Sequence, residues 1–126
     1  MINYKPQYTN SWALIAGINA YQFCAPLSYA CNDADVVASA LVDQLGFESG
    51  KVFLLKDEQA TKQEILEKYL DLSSLATDLD DRVFVFFAGH GFTTPGLARG
   101  PVGYLVPVDG STHRLNSLIH WDELTG

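Results

Sequence analysis

Basic residues are scarce in this chain. Eight lysines and arginines stand against fifteen aspartates and glutamates, a net charge of −7 over 126 residues. An acidic surface repels phosphate backbones, so no nucleic-acid partner is expected; a basic peptide or a cation suits it better. Cysteine is scarcer still. Cys24 and Cys31 are the only two, too few for a disulfide framework, and a reduced, cytoplasmic protein is expected. Long apolar runs are missing: the longest, Val83 to Ala88, is far too short to cross a bilayer, so no membrane partner is expected. Residues 1–6 lack a signal-peptide core. Neither an internal repeat nor a low-complexity tract interrupts the chain.

What is present is 48% hydrophobic residues with 18% charged, a composition that argues against disorder. The length suits one domain, taken as residues 1–126, with a core of its own. Strand and helix patterns alternate. Residues 12–17 read as a short buried strand closed by Gly17. Asn32 is the expected N-cap of a first helix, with Asp33 and Asp35 in its opening turn. Val36, Val37, Ala40, Leu41 and Leu45 recur at helical spacing before Gly46 stops them. Residues 52–55 form a second strand. Thr61 and Glu64 make a capping-box pattern ahead of a second helix. Residues 83–87 form the third and most apolar strand, whose unbroken hydrophobicity predicts that both faces are covered. Residues 103–106 read as a further strand or hairpin piece, and 117–124 as the start of a helix. The order predicts an α/β layered fold with a mainly parallel sheet. Sites in such sheets lie beyond the carboxyl ends of the strands.

Three segments leave those ends: 17–31, 56–60 and 89–99. In the third, His90 stands between Gly89 and Gly91, directly after the most apolar strand. Flanking glycines free the backbone and leave the imidazole uncrowded, as suits a general base. A plain turn histidine is the competing reading. Cys31, at a helix start, is a candidate for a dipole-lowered pKa, against the commoner reading of a buried small residue. His113 and His120, like Cys24 and Cys31, lack the further ligands a zinc site needs. Gly17 to Tyr21 is no phosphate-binding turn, which ranks a nucleotide-binding domain last.

Four motifs together carry a resemblance. Residues 13–19 (Ala-Leu-Ile-Ala-Gly-Ile-Asn), 27–34 (Leu-Ser-Tyr-Ala-Cys-Asn-Asp-Ala), 83–91 (Val-Phe-Val-Phe-Phe-Ala-Gly-His-Gly) and 104–109 (Tyr-Leu-Val-Pro-Val-Asp) stand in the order found in caspase-like cysteine peptidases. The chain resembles metacaspases and their bacterial relatives most closely, over about the first half of the family's catalytic domain. The resemblance implies a caspase-like three-layer sandwich and a cysteine–histidine mechanism. In it His90 is the proton carrier, the Gly91 N–H is an oxyanion-hole donor, and Asp33 faces the pocket for the residue before the cut bond. An acid there implies cleavage after Arg or Lys. Two positions depart from the family: Ala30 replaces a pocket cysteine, and Ala88 replaces a serine.

The resemblance also implies a nucleophile about 50 residues after the histidine. Only 36 residues follow His90, none of them cysteine. The Asp-x-Cys strand is therefore expected beyond Gly126, on a remaining part of the catalytic domain, and residues 1–126 alone are expected to be inactive. Some metacaspases require calcium. Asp122 and Glu123 loosely resemble the paired acids used there, but no acid lies in 92–102, and neither a calcium site nor any other cofactor is expected. Arg99 is noted as a self-cleavage point. The alternative to an enzyme is a catalytically dead caspase-like binding or scaffold module.

Overall fold

The structure is a computed structural model and describes residues 10–95 and 100–124. Strand β1 (Ser11–Gly17) leads through helix α1 (Ala30–Asp43) to β2 (Val52–Lys56), then through α2 (Lys62–Leu75) to β3 (Arg82–Ala88). The three strands form a parallel sheet in the order β2-β1-β3. The first crossover moves to one side of β1 and the second moves back across it. Crossovers of one hand therefore leave α1 and α2 on opposite faces of the sheet.

The core follows from the two-residue period of a strand. Ala13 and Ile15 of β1 face α1, packing with Ala34, Leu41 and Phe47. Leu14 and Ala16 face α2, packing with Ile65 and Leu72. Each fully buried Leu or Ile contributes about 1.5–3 kcal/mol of transfer free energy. Both layers thus close on β1, and the expected three-layer arrangement is observed.

The covered strand is therefore β1, not β3. The continuous apolar run at 83–87 predicted burial on both faces, yet β3 is half-buried along its length, and Phe84 is 39% exposed. Sheet order explains the difference: among the described residues β3 has a strand neighbour on one side only.

Local signals at the helix ends were partly misleading. Thr61 does cap α2, accepting from the Glu64 N–H at 3.1 Å. Gly46, at φ +77°, lets the chain turn out of α1 so that the Phe47 N–H reaches the Leu41 carbonyl, as expected of a helix-stopping glycine. Asn32, however, is not the N-cap of α1. The helix begins two residues earlier, at Ala30. Its first donors are met from a distance by the Asn19 carboxamide, whose Oδ1 accepts from Ala30 N at 2.9 Å and Cys31 N at 3.3 Å.

After β3 the chain builds a second, antiparallel sheet from β4 (Gly91–Thr94), β5 (Val102–Leu105) and β6 (Ile119–His120), in that order. Residues 103–106 thus contribute to its middle strand. The segment 117–124 is not a helix: Ile119 and His120 pair with β5, followed by one 3-10 turn over Trp121–Glu123. The segment after His90 is likewise not all loop, because Gly91–Thr94 is strand. Arg99 lies outside the described residues. No helix among the described residues is long and apolar enough to cross a membrane.

Candidate active site

Gly17, Lys56 and Ala88 pair in one row, so the carboxyl ends of β1, β2 and β3 finish level. His90 stands just past that row and is held at three points. Its N–H donates to the Tyr21 hydroxyl at 2.8 Å. Its carbonyl accepts from Val106 N at 3.0 Å. Its Nε2 lies 2.8 Å from the Ala25 carbonyl. A carbonyl only accepts, so Nε2 carries a proton, and in the neutral ring Nδ1 keeps its lone pair. A main-chain carbonyl thus orients the imidazole, as a carboxylate does in the Ser-His-Asp triad.

Tyr21 is the part of this arrangement that motif reading missed. Its hydroxyl accepts from His90 N and donates to the Val106 carbonyl at 3.0 Å, and its ring lies 4.8 Å from the imidazole. Burial is the main force pushing its pKa up to about 12, so the phenol stays protonated and serves as a bridge. The motif at 104–109 completes the support. Val108 N bonds Ala60 O, and Asp109 accepts from Lys62 N at 3.0 Å at the start of α2.

The two glycines flanking His90 work differently from expectation. Neither adopts a left-handed backbone; among the described residues only Gly46 and Gly100 do among glycines. Gly89 is required by close approach: a Cβ there would collide with the Tyr21 hydroxyl and sit 3.0 Å from the Phe87 ring. Gly91 has room, its nearest neighbour being the Tyr104 carbonyl at 3.7 Å. Gly91 pairs with Leu105 while Val106 N bonds His90 O. That is the wide, non-hydrogen-bonded pairing, in which the Gly91 N–H points away from β5.

Beside the histidine, Leu27, Tyr29, Ala30, Asp33, Ala88 and Gly89 line a cleft of about 440 Å³. Asp33 lies in the first turn of α1 and is exposed. No Lys or Arg among the described residues lines the cleft. Asp33 and Gly89, 56 residues apart in sequence, thus meet at one opening, with His90 next along the chain.

The cysteines are engaged elsewhere. The Cys31 thiol donates to the Gly17 carbonyl at 3.3 Å. Its pKa is raised, first by burial and then by Asp57, which runs against the dipole-lowered candidate and with the commoner reading of a buried small residue. Cys24 Sγ lies 3.8 Å from the Gly110 carbonyl. At the far end, Glu123 accepts from His120 N, and Asp122 sits 3.6 Å from His120 Nδ1. No three His, Cys, Asp or Glu side chains among the described residues gather as a metal site. Asp122 and Glu123, engaged within one turn and joined by no third acid, do not fit the oxygen-rich shell calcium takes.

Comparison with known proteins bears on the family and the fold. The caspase-domain family model matches residues 10–125. Metacaspase-1 of Eremothecium gossypii is 30% identical over 123 residues, covering 88% of this chain and 27% of that protein. The chain thus spans about a quarter of the length of that relative. A solved structure of a protein from Geobacter sulfurreducens is similar with a TM-score of 0.67 at 22% identity, over 91% of this chain and 43% of that one. This last likeness bears on the fold.

Proposed function

This chain belongs to the caspase-domain family, and on that premise we propose that it is the histidine-bearing part of a cysteine endopeptidase cutting after Arg or Lys. The observation that carries the reading is the Nε2–H bond from His90 to the Ala25 carbonyl. It presents a free Nδ1 beside a cleft in which Asp33 is the one lining carboxylate among the described residues.

In the proposed reaction, Nδ1 of His90 takes the proton of a cysteine thiol and the thiolate attacks the peptide carbonyl carbon. The Gly91 N–H donates to the resulting oxyanion, a contact worth about 3 kcal/mol of barrier by analogy with other such donors. The imidazolium then gives its proton to the leaving amine as the C–N bond breaks. Water, deprotonated by His90, hydrolyses the thioester and restores the thiol. Asp33 receives the basic side chain before the cut bond through charge-assisted hydrogen bonds.

The thiol comes from a segment outside these 126 residues. Cys31 and Cys24 are turned to main-chain carbonyls, and the spacing known for caspases points past Gly126. The half-exposed apolar β3 is where a strand carrying that thiol would add to the sheet. By this reading the 126 residues alone cleave nothing, the protein works in the cytoplasm, and no calcium or other cofactor enters the steps above.

The test is the full-length protein on Arg-, Lys- and Asp-terminated peptide reporters. Cleavage of the basic reporters, lost in His90→Ala, supports the proposal. Asp33→Asn should lower kcat/KM on the basic reporters by about 10–100-fold, the loss of one charge-assisted contact of about 1.5–3 kcal/mol. Cleavage of none of the three overturns the peptidase in favour of a binding or scaffold module, and undiminished cleavage in His90→Ala overturns the role given to His90.

A further inference from the structure

Asp57 is unusual on two counts. It is the one described non-glycine residue with a positive φ, +49°, a conformation that disfavours any residue with a Cβ and that Asn and Asp tolerate best. It also spends one carboxylate oxygen on two amides of a distant loop: Oδ1 accepts from Asn19 N at 2.8 Å and Ala20 N at 3.0 Å. Strain of this kind persists where the surrounding structure demands it and is common at functional sites. At Asp57 the strain is accompanied by two hydrogen bonds made by its side chain.

Those bonds reach further through Asn19. The Asn19 carbonyl accepts from Leu27 N at 2.9 Å, and its carboxamide oxygen accepts from Ala30 N and Cys31 N. One residue, pinned by Asp57, therefore closes the loop after β1 at positions 27, 30 and 31. Ala25, whose carbonyl orients the His90 imidazole, lies inside that closed loop. Leu27, Tyr29 and Ala30, which line the cleft, lie along its exit.

We infer that Asp57 is a positioning residue, acting through Asn19 to set both the His90 tautomer and the shape of the cleft that takes the basic side chain. The inference rests on the peptidase reading for its kinetic consequence but not for its structural one. Asp57 touches neither substrate nor the reacting atoms. Its carboxylate holds the loop, the loop holds the Ala25 carbonyl, and the carbonyl holds Nε2–H.

The experiment uses the full-length protein with two substitutions. Asp57→Gly accepts the left-handed backbone and removes the carboxylate; Asp57→Asn tolerates the same backbone and keeps an acceptor oxygen. Asp57→Gly should lower kcat/KM on an Arg reporter by about a hundredfold, the scale of a 1 Å misplacement of catalytic geometry. Both a lower kcat and a higher KM should contribute, because the loop serves imidazole and cleft alike. Asp57→Asn should restore most of that loss. Imidazole ¹⁵N resonances of His90 supply a readout that stability alone would not move. The wild type should show a fixed Nε2–H tautomer, Asp57→Asn should keep it, and Asp57→Gly should average it. Wild-type kinetics in Asp57→Gly, or lost activity with the Nε2–H signature intact, overturns the inference. If the wild type cleaves no reporter, the peptidase reading fails, and the resonances in Asp57→Gly decide the positioning role alone.

Discussion

Gly89 and Tyr21 should be coupled more strongly than any other pair around the histidine. A Cβ at Gly89 lands on the Tyr21 hydroxyl. That hydroxyl cannot retreat without giving up its bonds to His90 N at 2.8 Å and Val106 O at 3.0 Å. Gly89→Ala should therefore cost about 3 kcal/mol, the upper end for overpacking, because relief of the clash breaks hydrogen bonds. Tyr21→Phe should cost about 2 kcal/mol, since it leaves a part-buried N–H and carbonyl without their bridge. In the Tyr21→Phe background the tightest remaining contact given for the new Cβ is the Phe87 ring, 3.0 Å away, and Gly89→Ala should cost about 1 kcal/mol. The double variant then loses about 3 kcal/mol where independent sites would lose about 5, a coupling of about 2 kcal/mol. Urea unfolding followed by tryptophan fluorescence measures all four proteins, with unchanged m-values as the condition for comparing them. Additivity to within about 0.5 kcal/mol would refute the reasoning, because the hydroxyl would then not be what excludes a side chain from position 89.

Further outcomes follow from the same geometry. The flanking glycines should separate: Gly91→Ala, with 3.7 Å of clearance, should leave the urea midpoint nearly unchanged. Gly17→Ala, whose Cβ would lie 2.6 Å from Ala34 and 2.8 Å from the Ala30 carbonyl, should cost about 1–3 kcal/mol. Tyr21 has a folded pKa of about 12 against about 10 unfolded. The protonated form is the one folding favours, so its contribution is complete below pH 10 and is lost as pH rises toward 12. Tyr21→Phe should flatten that alkaline limb of the stability curve. The Cys31 thiol, its pKa raised by burial and then by Asp57, should alkylate more slowly at pH 8 than an unstructured thiol. Asp57→Asn in a Cys24→Ser background should speed it, and an unchanged rate would exclude the carboxylate's influence. Asp57 itself has a lowered pKa, chiefly through the Ala20 N–H. Its contribution is present above the ordinary carboxylate value and lost as pH falls through the lower folded one, so Asp57→Asn should flatten the acid limb.

Much of the site was legible because it is local. His90 follows a strand within two residues, and the strand's apolar run announces itself. Asp33 sits in a helix turn whose spacing is plain. The residues that reading missed act across the chain. Tyr21 meets His90 from 69 residues away, and the Ala25 carbonyl does so from 65. Asp57 reaches Asn19 across 38. A backbone carbonyl carries no sequence signal at all, since every residue has one. Asn32 looked like a cap because capping rules weigh the neighbouring residues, while the helix starts earlier and Asn19 accepts its first amides, those of Ala30 and Cys31, from a loop those rules do not see. A faint signal did exist for Asp57: it is the first residue after the β2 strand, at one of the three segments where α/β sheets place their sites.

Composition and pattern by themselves determined the order of the first three strands and two helices, the parallel α/β class, the histidine at a strand end and the acidic turn that opens α1. These follow from periodicities of two and about 3.6 residues and from residue chemistry, both readable along a line. Tertiary structure alone decided which strand is central and which nitrogen of His90 is free. It also decided why position 89 must be glycine and that the Cys31 thiol is held up in pKa rather than down. Each of those depends on which distant group stands within about 3 Å, and hydrogen bonding, steric exclusion and desolvation all act at that range.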